Sequence, residues 1–194
     1  MNNNLLADIS NKHQEYLDLC HYYNISIDPI YVNIDKYITD DKDATFKLKL
    51  IINKINLIRN DINKKREIVE NVLSHLFDLC ESKRKTINHN SKSFIYITEL
   101  CVLYSPNFSV RNCLIKISEK YNVNHTGLIS TIKSALKKSH SVIPSIIPNY
   151  SSKNVSLSNF VNAMYLYINE KLRCLLWIII YATVLYTFSL FYFL

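Results

Sequence analysis

One glycine, Gly127, serves the whole 194-residue chain, and that scarcity restricts the fold more than any other feature. Phosphate cradles, dinucleotide fingerprints and glycine-turned hairpins need glycine wherever the backbone must approach closely or adopt positive φ. They are excluded. No stretch alternates apolar and polar residues as a half-buried strand would, so the chain reads as all-α. At 48% apolar and 20% charged residues it is too apolar to stay disordered. Its length suits one domain with a single core.

Apolar spacing places the helices. Leu5, Leu6, Ile9, Tyr16, Leu17 and Cys20 predict a helix over about residues 3–23, after which Pro29 forbids continuation. A weakly patterned stretch follows to Asp43. Over residues 44–82, Leu48, Ile51, Ile55, Ile58, Ile62, Val69, Val72, Leu76 and Leu79 keep a 3-4 heptad spacing interrupted at Lys65. That seam fits a coiled coil or two consecutive bundle helices broken near residues 63–66; the second is preferred, because the other helices need partners. Further helices are expected over about 94–104, 109–121 and 126–138. A loop over 139–154 holds Pro144 and Pro148, and a last amphipathic segment from Leu157 to Leu172 runs into the tail without a break.

The tail, Leu175 to Leu194, carries no charge and no proline. As a helix it spans roughly 30 Å, the thickness of a bilayer's hydrocarbon core. Lys171 and Arg173 precede it and nothing charged follows, the layout of a tail anchor with its body in the cytosol. Leu175, Trp177, Ile178, Leu185, Phe188 and Leu194 are the expected membrane contacts. The alternative is a buried core helix, because Tyr181, Thr183, Tyr186, Thr187, Ser189 and Tyr192 dilute the run. The expected organisation is therefore a helical bundle over residues 1–172 and an anchor or packing helix over 173–194.

The net charge of +7 is scattered. Lys64-Lys65-Arg66 and Lys83-Arg84-Lys85 are short and lack interleaved aromatics, which suits solvated helix faces, or a modest attraction to anionic headgroups, better than nucleic acid. Cys20, Cys80, Cys101, Cys113 and Cys174 are odd in number and never closely paired, so neither a zinc site nor a disulfide framework is expected, and a reducing cytosol fits. The chain has no stretch resembling a secretory signal peptide. Its histidines (His13, His21, His75, His89, His125, His140) show no metal-ligand spacing, and no nucleophile elbow is present. The scattered glutamates read as surface carboxylates. The expectation is a binding protein without metal, cofactor or small-molecule substrate, and not an enzyme.

Several segments in the second half resemble the Bcl-2 family of apoptosis regulators. Val123-Asn124-His125-Thr126-Gly127-Leu128-Ile129 is similar to homology region 1, whose usual core is Asn-Trp-Gly-Arg. Phe160 to Leu172, reading FVNAMYLYINEKL, resembles the family's sixth helix. Trp177-Ile178 stands where the Trp-Ile of homology region 2 would, and Leu73 and Asp78 keep the leucine-to-aspartate spacing of homology region 3. The likeness covers about residues 68–180. His125 replaces the motif tryptophan, Thr126 and Gly127 occupy the slot of the peptide-pairing arginine, and Phe77 stands where a small residue is usual. Drift of this kind is found in viral, poxvirus-like members.

The resemblance implies a bundle around a central apolar helix, here the segment after Gly127. A hydrophobic groove would be walled by Leu73, Leu76 and Phe77 on one side and Val110, Leu114 and Ile117 on the other, with Asn124, Gly127 and Leu128 at its base. Gly127 would permit close helix approach. The implied ligand is an amphipathic death-motif (BH3) helix of a pro-apoptotic partner. The implied function is inhibition of apoptosis by sequestration at the mitochondrial outer membrane or the endoplasmic reticulum. The alternatives are a tail-anchored coiled-coil tether and a Bcl-2-like inhibitor of host inflammatory signalling.

Overall fold

The computed structural model describes residues 3–81, 91–150 and 156–192, with all their side chains except those of residues 81, 179 and 185–192. Lys83-Arg84-Lys85, His89 and Leu194, and the side chains of Leu185 and Phe188, lie outside the described residues. Seven α-helices and one 3-10 turn make up the described structure: α1 (Asn3–Tyr23), the turn (Pro29–Tyr31), α2 (Asp41–Glu81), α3 (Lys92–Leu103), α4 (Val110–Lys120), α5 (His125–Ser139), α6 (Ile143–Ile146) and α7 (Leu157–Tyr192). No strand occurs among the described residues; the one bridge pairs Ser105 with Phe108.

A chain with one glycine must end its helices by other means. Asn24 and Asn122 adopt left-handed backbone at φ 52° and 48°, the conformation that asparagine tolerates best after glycine. The Ile25 N–H then reaches back to the Cys20 carbonyl at 2.8 Å, and the Val123 N–H to that of Ser118 at 3.0 Å. Both are the six-to-one closure that stops a helix. At the other ends Ser91, Ser109 and Asn124 cap α3, α4 and α5 by accepting from Phe94, Asn112 and Thr126 N–H groups. Asp40 accepts from the Asp43 N–H at 2.8 Å, and Asp43 in turn accepts from the Thr39 N–H at 3.1 Å, so one carboxylate satisfies a first-turn donor of α2 and the other ties back the residue before it.

The chain divides into two compact units, Met1–Lys64 and Lys65–Leu194. In the first, Ile9, Tyr16 and Cys20 of α1 are buried with Ile51, Ile55, Ile58 and Ile62 of α2. The connecting loop is pinned to α1. Tyr16 Oη accepts from the Asp28 N–H at 3.1 Å. His13 lies with Nε2 2.7 Å from the Tyr31 carbonyl and Nδ1 3.1 Å from Asp35. Two ion pairs, Arg59 with Glu15 and Lys54 with Asp28, tie α2 to α1 and to the loop.

In the second unit α3 is the central helix. Phe94 and every residue from Tyr96 to Leu103 are buried, and α3 packs against α4, α5 and α7. The family resemblance implies instead the helix after Gly127. That helix, α5, buries only Leu128, Ile132, Ala135, Leu136 and Ser139, because Lys133, Lys137 and Lys138 need water on its outer face. Rings join the elements at Phe77–Phe94 (5.8 Å), Tyr104–Tyr165 (5.8 Å) and Tyr150–Phe160 (6.3 Å).

Two further expectations are corrected. Residues 63–66 do not break the helix: α2 is continuous for 41 residues. Lys65 interrupts the apolar series, but it is only half-buried, and no proline or glycine intervenes. Inside the proline-bearing loop, Ile143–Ile146 forms one helical turn, because Pro144 occupies a first-turn position where its missing N–H is not needed.

Candidate functional site

The residues expected to wall a groove are mostly packed into the core of the second unit. Leu73, Leu76, Phe77, Leu114, Ile117 and Leu128 are between 0 and 4% exposed. Val110 is half-buried, while Asn124 and Gly127 face solvent. Asn124 is spoken for as the α5 N-cap, its side-chain oxygen 2.8 Å from the Thr126 nitrogen. A Cβ added at Gly127 would meet nothing within 4 Å, so no close helix approach requires glycine there.

One glutamate departs from the expected surface carboxylates. Glu99 of α3 is fully inaccessible; its Oε2 accepts from Arg66 of α2 at 2.9 Å and its Oε1 from Lys120 of α4 at 2.8 Å. Burial pushes its carboxyl up, but the bonds and charges of Lys120 and Arg66 outweigh burial and hold it below the ordinary carboxylate value. Burial and the neighbouring Glu99 charge push the Tyr121 hydroxyl up. Glu99 is the only charge inside the apolar run FIYITELCVL, where a lone carboxylate needs a partner.

Three buried thiols are unreactive. Burial pushes Cys20 and Cys101 up and Cys113 up to about 12, so all three remain protonated. Among the described residues no cluster of His, Cys, Asp or Glu could hold a metal ion.

The exposed apolar surface is concentrated on α7. Its first half faces the core through Phe160, Val161, Met164 and Ile168. From Leu175 onward every described large apolar side chain is exposed, including Leu176 (59%), Trp177 (71%), Ile178 (64%) and Tyr181 (67%). These positions lie all round the helix. Among the described residues no helix is long and apolar enough to cross a membrane, and the side chains from Leu185 on are not described.

Where α7 leaves the core, an open cleft of about 370 Å³ separates it from α2. One wall is Ile68, Asn71 and Val72 of α2; the other is Tyr167, Lys171, Cys174, Leu175 and Ile178 of α7. Lys171 Nζ lies 5.4 Å from the centre of the Tyr167 ring, a cation-π contact that holds the charge at that end. Of the residues expected in the anchor, Leu175 and Ile178 line this cleft.

No protein-family model, curated protein or solved structure matches the chain.

Proposed function

We propose that this is a tail-anchored membrane protein whose helical body acts by binding other proteins. The carrying observation is the apolar surface of α7, where every described large apolar side chain between Leu175 and Val184 is exposed. A helix that is hydrophobic all round requires an apolar surrounding, and the uncharged continuation to Leu194 provides enough length for a bilayer. Lys171 and Arg173 mark the cytosolic end. Alkaline carbonate extraction of membranes from expressing cells tests this. Retention in the pellet is expected, and complete release would overturn it.

The finer proposal is a Bcl-2-like inhibitor of apoptosis that sequesters death-motif helices at the mitochondrial outer membrane or the endoplasmic reticulum. It is supported by the motif likenesses at Asn124–Ile129, Phe160–Leu172 and Trp177-Ile178 and by the all-helical body. Because Leu73, Leu76 and Phe77 are enclosed, an incoming helix must displace some of the chain's own packing. Its affinity then falls by the fraction of molecules that are open. Titration of the detergent-solubilised chain with a panel of death-motif peptides, alongside a melting curve, decides the matter. Micromolar binding to any peptide supports sequestration, and silence across the panel transfers the proposal to inflammatory signalling adaptors. A coiled-coil tether is disfavoured, since seven of its nine seam residues, Ile51, Ile55, Ile58, Ile62, Val69, Val72 and Leu76, are already buried within the chain, while Leu48 is half-buried and Leu79 exposed.

A further inference from the structure

We propose that the cleft between α2 and α7 takes one acyl chain of an anionic phospholipid from the surrounding bilayer, with the lipid phosphate on Lys171. The inference rests on the tail-anchored reading and adds a lipid site to it.

The shape of the cleft selects a thin ligand. Its α7 wall runs from Tyr167 to Ile178, about 16 Å along a helix, and the ~10 Å from Lys171 to Ile178 receives the upper part of an acyl chain whose phosphate sits on Lys171. At about 370 Å³ the cleft is of the order of one hydrocarbon chain and cannot enclose a helix of ~10 Å diameter. A single hydrocarbon chain is the better match.

Its polarity is ordered along the same axis. Tyr167 and Lys171 stand at the end nearer the core, and Cys174, Leu175 and Ile178 follow toward the tail. A phospholipid beside an inserted tail has the same order, phosphate at the basic end and hydrocarbon beyond. No carboxylate lines the cleft, so an anionic headgroup meets Lys171 without repulsion from the walls. Continuity supplies the last argument: Leu175 and Ile178 belong both to the cleft and to the exposed apolar surface of α7. A lipid in the bilayer reaches the cleft without crossing water.

The test compares full-length protein in nanodiscs of phosphatidylcholine with and without phosphatidylglycerol, followed by native mass spectrometry to count lipids retained after release. Preferential retention of one phosphatidylglycerol is expected, by about fivefold for one lysine at the headgroup level. Lys171→Glu should abolish the preference, and Cys174→Trp, which fills the cleft from an exposed position, should reduce retention of both lipids. Circular dichroism confirms that each variant keeps its helix content, and Asn71→Asp offers a gentler charge change if one does not. Equal retention of both lipids, unaltered by the variants, overturns the proposal. Vesicle flotation separates the two failures. A chain that does not float with vesicles defeats the anchor and the lipid site together; one that floats but shows no preference defeats the lipid site alone.

Discussion

Lys120 Nζ on α4 stands 2.8 Å from Glu99 Oε1 on α3, a carboxylate with no exposed surface. Arg66 reaches the other oxygen from α2. Three helices of the second unit thus share one buried charge. The two cations keep roughly a third of their surface in water, at 29% for Arg66 and 37% for Lys120, so the burden of burial falls on Glu99. Lys120→Met should cost about 1–2 kcal/mol, since Arg66 still answers the charge. Arg66→Met with Lys120→Met should cost about 3–5 kcal/mol, more than the two singles together, because the carboxylate is then buried alone. Thermal melts of the purified chain measure both; strict additivity would oppose a shared clamp.

The same carboxylate sets an acid limit. Its folded pKa lies below the ordinary value of 4.5, so the folded state binds the proton less readily than the unfolded one. The stabilisation is fully present above that value and is lost as pH falls through the lower folded value. Melting temperature should drop on acidification below about pH 4.5, and Glu99→Gln should flatten that part of the profile.

Replacing Gly127 should help the fold. It sits in the first turn of α5 with open space around its Cα, so Gly127→Ala should stabilise by up to about 1 kcal/mol in a chemical denaturation curve. A marked loss of stability would show that the helix approach implied by the family likeness operates after all.

Leu128→Ala should have the opposite sign. The side chain is 1% exposed, and its truncation should cost about 2–5 kcal/mol. Any fall in peptide binding should then track the unfolded fraction seen by circular dichroism. Weakened binding in a variant with an unchanged melt would show that Leu128 touches the ligand.

Trp177 is the only tryptophan and is 71% exposed, which makes it a reporter free of background. Its fluorescence should shift to the blue and become quenchable by brominated lipids when vesicles are added. An unchanged spectrum in vesicles that retain the protein would place α7 outside the bilayer.

Helix positions were largely legible from apolar spacing. The ends of α1 match expectation because Asn24 and Pro29 follow its last apolar turn, and α3, α4 and α5 each start beside a capping Ser or Asn. Lys65 misled because a charge in an apolar series reads as a break, whereas a half-buried lysine on a helix edge keeps its ammonium in water. Spacing also could not say which helix is central. That depends on which one is surrounded, and the nearly unbroken apolar run of α3 was the better guide than the motif around Gly127. The groove residues illustrate a deeper limit: a leucine that lines a trough and one that fills a core have the same periodicity. Glu99 escaped notice because its partners, Arg66 and Lys120, lie 33 and 21 residues away.

Helix α7 holds 36 residues without glycine or proline, a rod of about 54 Å at 1.5 Å per residue. Phe160, Val161 and Met164 fasten one end into the bundle of the second unit, and the greasy end departs along the same axis. A flexible tether would let that bundle swivel like a balloon on a string; here there is no joint. Whatever grips the outer half of the rod therefore steers the bundle too, so its heading is chosen at the far end of α7.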